Sequence, residues 1–163
     1  MLCTLNHQEP DKLPQDLGTW CTGMHVSSLH KLKVTLGLIK PADPVKVIEP
    51  YQMLGEVDDG LREALGIDTV HLDSEMTAFG YPNRNWKPWT LFDGTPLLVP
   101  EGFNTKRDVR GDVYQYPTGD VSVAPSAKMP RDGFYFDCVP RPNPAADDSS
   151  LSVEDQIEGY QVL

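Results

Sequence analysis

Trp86-Lys-Pro-Trp-Thr-Leu-Phe-Asp-Gly-Thr-Pro-Leu-Leu-Val-Pro-Glu-Gly-Phe103 sets Asp93-Gly94 between two apolar runs, Trp89–Phe92 and Thr95–Val99. Asp-Gly at that place is a hairpin signal, because a tight two-residue turn needs positive φ at its centre. Two similar signals follow: Arg110-Gly-Asp112 separates Phe103–Val109 from Val113–Tyr116, and Arg131-Asp-Gly133 precedes Phe134-Tyr-Phe136. Residues 86–138 therefore read as an antiparallel β-meander, longer than the connections that usually join the elements of a β/α barrel. Asp93-Gly94 and Arg110-Gly-Asp112 are read here as turn chemistry alone.

Upstream the period changes from strand to helix. Leu54, Val57, Leu61 and Leu65 form an apolar stripe at helical spacing, which predicts a helix starting near Pro50, a residue suited to a first helical position. Gly66 ends it, and Ile67-Asp-Thr-Val-His-Leu72 reads as a buried strand, the αβ half of a βαβ unit. A second helix follows Ser27 or Ser28 as cap, with Leu29, Leu32 and Leu36 at helical spacing and Gly37 just past its end. Val45–Ile48 is extended, and Leu13, Gln15 and Leu17 alternate in a short first strand.

The expected fold class is α/β: the N-terminal part of a TIM (β/α)8 barrel with an inserted antiparallel β-meander. Residues 1–85 would supply the first β/α units, 86–138 the inserted hairpins, and 139–163 a linker and the start of a further helix, capped by Ser152 with Asp155. A closed barrel needs roughly 250 residues, so a chain of 163 residues is expected to be the amino-terminal piece of a larger enzyme.

A net charge of −10 argues against a nucleic-acid surface, which needs a Lys/Arg stripe. No apolar window is long enough to span a bilayer, and the start, Met1-Leu-Cys-Thr-Leu-Asn-His7, lacks the charged and apolar regions of a signal peptide. Cys3, Cys21 and Cys138, an odd and widely spaced set, fit a reducing, cytoplasmic setting. No G-x-G-x-x-G, P-loop, G-x-S-x-G or H-E-x-x-H occurs.

Asp73 and Glu75, just past the carboxyl end of the predicted strand, are the catalytic candidates. Barrel active sites lie at that end, and two neighbouring carboxylates can drive each other's pKa values apart. The plainer alternative is a solvated loop pair. Cys21, Thr22 and His25, in the loop after the first strand, are candidates for substrate contact. A Cys/His pair can hold metal or act as nucleophile, but four residues apart in a loop it has no defined geometry. His71 reads as a pocket or core histidine. Trp86 and Trp89, with Phe92, Phe103 and Tyr114, would form either an aromatic wall over a flat ligand or the core of the meander.

Asn6-His-Gln-Glu-Pro-Asp-Lys-Leu-Pro-Gln-Asp-Leu17 resembles the opening of the uroporphyrinogen decarboxylase superfamily. Val47-Ile-Glu-Pro-Tyr-Gln-Met-Leu-Gly-Glu-Val57 and Leu65-Gly-Ile-Asp-Thr-Val70 resemble the helix and second strand of one subgroup. Phe79-Gly80, Asn83, Asn85-Trp-Lys-Pro-Trp89, Phe92-Asp-Gly94 and Gly102-Phe-Asn104 extend the likeness, which covers essentially residues 4–140.

The resemblance implies a barrel enzyme of one of two branches. One decarboxylates uroporphyrinogen without a cofactor, for porphyrin and heme biosynthesis. The other contains corrinoid-dependent methyltransferases, in which zinc held by His and Cys activates a thiol that accepts methyl from cobalamin. The decarboxylase binds substrate carboxylates through arginines of an Arg-Gln-Ala-Gly-Arg phrase, whereas the corresponding Asp16–Met24 contains no arginine. An eight-carboxylate ligand would lack its cations there, which favours the methyltransferase-related branch.

The family's aspartate at the end of the second strand would correspond to Asp73 or Glu75. The methyltransferase zinc ligands fall in the second half of the barrel, so no metal ligand is expected within this chain. Zinc and corrinoid are implied for the full-length protein only. The implied partners are a small-molecule or tetrapyrrole substrate, a corrinoid protein and a second subunit, with no nucleic acid and no membrane. A second alternative is a non-catalytic piece serving as a binding or dimerisation module, and residues 1–163 alone are expected to be inactive.

Overall fold

A computed structural model describes residues 2–72 and 74–139. Over these residues the chain is mixed α/β, with two small sheets and few helices. A short α1 (Leu2–Leu5) precedes α2 (Val26–Thr35), β1 (Val45–Glu49), β2 (Leu54–Gly55) and α3 (Asp59–Leu65). Then come β3 (Lys87–Thr90), β4 (Pro96–Val99), β5 (Thr105–Arg107), β6 (Val113–Gln115), β7 (Ala127–Met129) and β8 (Asp137–Cys138). None of the described helices is long and apolar enough to cross a membrane.

The first sheet has the order β2-β1-β4-β3 and the second β5-β6-β7-β8. The second is an antiparallel meander: its β5–β6 and β7–β8 connections fall at the predicted signals, the β6–β7 connection does not, and the last strand is Asp137–Cys138 rather than Phe134–Phe136. The first hairpin does not join it. Its β4 runs parallel to β1, pairing Val45 with Leu97, while β3 pairs antiparallel on the far side. β1 is buried at Val45, Val47 and Glu49, and β4 carries Leu97 and Val99 into the same core. Phe103, Val113, Met129 and Phe136 continue that core under the second sheet.

Helix α2 lies where its sequence predicts. Val26 and Leu29 are fully buried, and Gly55 lets them approach: a Cβ there would stand 3.0 Å from Leu29 Cδ2. Gly37, at φ 71°, closes the helix, its N–H reaching Val34 O and that of Leu38 reaching Lys33 O. The cap is neither serine but His25, whose ring accepts from the Ser27 N–H.

The helix predicted from Pro50 is corrected by the structure. The buried carboxylate of Glu49 accepts the N–H groups of Tyr51 and Gln52, at 2.9 and 2.6 Å, and Met53 turns left-handed at φ 56°. These features bend the chain into a turn and leave Leu54 in β2. The apolar stripe divides, and α3 begins only after Asp58, whose carboxylate accepts from Leu61 N–H. Gly66 ends the helix at φ 66°, as its position predicts.

The strands predicted at 13–17 and 67–72 are corrected as well: neither forms a ladder. Leu13, Val70 and Leu72 are 79, 66 and 89% exposed, so the second segment is not buried. The two segments nevertheless lie side by side. Asp68 N–H donates to Gln15 O at 2.9 Å, Gln15 N–H donates back to the Asp68 carboxylate, and Thr69 Oγ1 donates to Asp16. The described residues form no closed barrel. The predicted linker beyond Val139 and the helix after it lie outside the described residues.

Candidate functional site

The most prominent cavity is a cleft of about 780 Å³ between the start of α2, the turn between β1 and β2, and the approach to β8. Three stretches distant in sequence meet there. His25, Ser28 and Lys31 come from α2 and its cap, Tyr51, Gln52 and Leu54 from the turn, and Phe134, Tyr135 and Asp137 from the last ribbon. Each is placed by a feature already described: Glu49 folds the turn, Gly55 seats α2, and Phe136 is fully buried and anchors the ribbon. Phe136 N–H donates to Tyr51 O at 2.9 Å, which fixes ribbon to turn.

His25 is the hub. Its Nε2 lies 2.7 Å from Phe134 O, and its Nδ1 accepts from Ser27 N–H at 3.2 Å. A carbonyl only accepts and an amide N–H only donates, so the two bonds select the neutral imidazole with its proton on Nε2. Burial holds the His25 pKa below the ordinary histidine value, against the pull of the Phe134 hydrogen bond and the Asp93 charge. The ring meets Phe134 edge-on, centroids 5.3 Å apart, and Phe134 in turn meets Phe92 at 4.9 Å. Phe134 and Tyr135 are 47 and 57% exposed, an unusual display of aromatic surface on one wall.

Two further residues steady the site, and sequence reasoning assigned neither a role in it. Asp93, read as turn chemistry, accepts from Ser27 Oγ and from Thr95 N–H, with Lys31 Nζ 3.8 Å away. Burial raises its pKa, but the bonds from Ser27 and Thr95 outweigh that and leave it lowered. Tyr51 places its hydroxyl 3.3 Å from Cys138 Sγ, a contact that raises the tyrosine pKa. The Asp-Gly signal locates the Asp93 turn, but nothing local says that the turn faces a helix cap.

The other candidates separate. Of the Cys21, Thr22 and His25 group, only His25 lines the cleft. Thr22 Oγ1 donates to Asp16 at 2.6 Å and contacts Thr19 Oγ1, which makes it a loop fastener. Cys21 is exposed and free. With both His25 nitrogens engaged, the Cys21/His25 pair does not fit a metal. Among the described residues, no three His, Cys, Asp or Glu side chains group as metal ligands.

Glu75 is exposed and away from the cleft lining, its backbone carbonyl accepting from Asn83 N–H. Asp73 lies outside the described residues. His71 lines a second, polar cavity with Lys46, Glu56 and Arg62.

Of the two readings of the aromatic residues, ligand wall or core, the contacts of most follow the second. Phe103 is core, Trp89 packs edge-on against it at 5.3 Å, Trp86 lies under Lys46, and Tyr114 reaches Asp108. Only Phe92 reaches the cleft, through Phe134. The site is thus an aromatic-walled cleft with a neutral imidazole and polar groups at its edge, suited to an organic ligand with a flat or apolar part.

In comparisons with family models, with curated proteins and with solved structures, nothing matches this chain.

Proposed function

We propose that this chain is the ligand-binding amino-terminal part of a uroporphyrinogen decarboxylase-like barrel enzyme, of the branch related to corrinoid-dependent methyltransferases. The observation that carries the reading is the cleft, where the loop ending at His25, the turn at Tyr51 and the last ribbon converge, the turn lying within the Val47–Val57 phrase of the resemblance. The lining contains no arginine. Its one full cation, Lys31, faces Asp93. Such a lining disfavours an eight-carboxylate porphyrinogen and suits a smaller organic substrate, so methyl transfer is preferred over decarboxylation.

The barrel belongs to the same proposal. Contact of residues 15–16 with 68–69 supports it, since the first and second strands of a barrel are neighbours. Zinc and corrinoid would be held elsewhere in the enzyme, since the Cys21/His25 pair does not fit a metal. Three exposed, free cysteines agree with a reducing, cytoplasmic setting.

The test has two arms. Reading the locus past the codon for Leu163 is expected to give further β/α units with His-x-Cys and a later Cys, and a stop codon there removes the enzyme reading. Titrating the purified chain with uroporphyrin and following absorbance is expected to show no saturable binding. Micromolar binding would move the assignment to the decarboxylase branch.

A further inference from the structure

We infer that His25 is a proton-operated latch on the aromatic wall of the cleft: neutral, it ties Phe134 to the start of α2, and protonated, it releases that tie. The inference rests on reading this cleft as the ligand site and adds its regulation. Among the described residues, His25 makes the only hydrogen bond to the backbone of either Phe134 or Tyr135. The next anchors are local or lie one residue on: Gly133 N–H to Pro130 O, and Phe136 N–H to Tyr51 O. Apart from the Phe134–Phe92 ring contact, the most exposed part of the wall is therefore held from one side chain 109 residues away.

Protonation changes this geometry directly. An imidazolium has donors on both nitrogens. Its new Nδ1–H would face the Ser27 N–H that it now accepts from, donor against donor, at 3.2 Å. The cation would also sit at the positive end of α2, where the helix dipole opposes it. Rotating the ring away relieves both conflicts and gives up the Phe134 carbonyl.

The charged and titratable groups around His25 come from every neighbouring element. Burial and Lys31 on α2 oppose protonation, while the Phe134 carbonyl and Asp93 on the β3–β4 turn favour it, so release follows only because the Nδ1–Ser27 conflict turns the ring. Glu49 ends β1, Tyr51 belongs to the β1–β2 turn, Tyr135 to the approach to β8, and Asp137 and Cys138 to β8. Asp93 is committed to Ser27 and Thr95, so it does not replace Phe134 as a partner. The open state exposes the ring, and an exposed histidine titrates near about 6.5. Acidification below that value therefore favours opening, by up to about tenfold per pH unit until the closed form also protonates.

The experiment is amide hydrogen exchange on the purified chain from about pH 7.5 to about pH 5, with rates divided by their intrinsic values, in a window that brackets the histidine titration. The expected result is loss of protection at the hydrogen-bonded Ser27 and Phe136 N–H groups on acidification, absent in His25→Asn, whose amide oxygen still caps α2 but does not titrate. Asp93→Asn is expected to keep the pH dependence, shifted to lower pH. Flat protection in the wild-type chain, or an unchanged pH dependence in His25→Asn, overturns the latch.

Nitrogen NMR of the wild-type histidine gives an answer even if His25→Asn fails to fold. An Nε2–H tautomer at neutral pH, titrating together with the Phe134 amide, is expected, and the other tautomer overturns the proposal. No ligand enters either measurement, so failure of the latch is distinct from failure of the enzyme reading, which the sequence of the locus past Leu163 tests.

Discussion

Ser27 Oγ donates to Asp93 Oδ2 at 2.5 Å, joining the first turn of α2 to the β3–β4 turn across 66 residues. Asp93 is thus both a turn residue, bonded through its other oxygen to Thr95 N–H, and the floor beneath the helix cap that carries His25. The hairpin pairs with β1 on one side and braces α2 on the other. This arrangement is why it belongs with the first sheet rather than with the meander that follows.

Removing that brace should loosen α2. Asp93→Ala deletes an ionised acceptor with two hydrogen bonds, and charge-assisted bonds contribute about 1.5–3 kcal/mol each when lost from partly buried sites. A loss of about 2–3 kcal/mol is expected by chemical denaturation. Ser27→Ala should cost less, because it leaves Asp93 with Thr95. A double-mutant cycle that shows the two changes to be additive would contradict coupling through this bond.

The same carboxylate sets an acid limit. Asp93 and Asp58 both have pKa values lowered from the ordinary carboxylate value: at each, hydrogen bonds outweigh burial, which would raise it. A group with a depressed folded pKa stabilises above its unfolded value, about 4, and that contribution disappears as pH falls through the folded value. Stability should therefore decline below about pH 4. Asp93→Asn should make the decline shallower in urea titrations at several pH values.

Lys33 supplies the sharpest contrast between partners. Its side chain is 8% exposed, and its Nζ meets Asp58 Oδ2 at 2.5 Å, while Asp58 Oδ1 also caps α3. Asp58→Ala removes the cap and strands a buried ammonium, so a loss of about 3–5 kcal/mol is expected. Lys33→Met leaves a more exposed carboxylate and keeps the cap, and it should cost clearly less. Equal losses in thermal melts would show that the buried lysine is not what makes Asp58 important.

What could be read in the sequence was local. Gly37, Gly66 and Asp93-Gly94 mark ends and turns because the backbone angle each needs is set within a few residues. The β1–β2 turn was not legible. Its cause is one carboxylate, Glu49, folding back on Tyr51 and Gln52, and Leu54, Val57, Leu61 and Leu65 keep a helical spacing regardless. Ile67–Leu72 has a strand's composition but no ladder partner among the described residues, and pairing is a property of two segments. His25 was legible as a candidate by residue type. Its role depends on Phe134, 109 residues on, and no local pattern carries that.

Gly102 tests how tightly the two sheets are joined. It lies between β4 and β5, and a Cβ there would stand 2.5 Å from Tyr81 Cβ and Cγ. Tyr81 is 2% exposed and stacks on Phe79, which meets Phe136 at 6.1 Å. Gly102→Ala must therefore move a buried ring, and the displacement passes along Phe79 to the anchor of the cleft wall. Overpacking of this kind costs about 1–3 kcal/mol. Exchange at Phe136 N–H should quicken along with the global loss. Tyr81→Phe with Gly102→Ala should not rescue it, because the clash is at Cβ and Cγ. Rescue by Tyr81→Ala, with a cavity in place of the overlap, is expected to be partial, and unchanged stability in Gly102→Ala alone would mean that Tyr81 has room the structure does not give it.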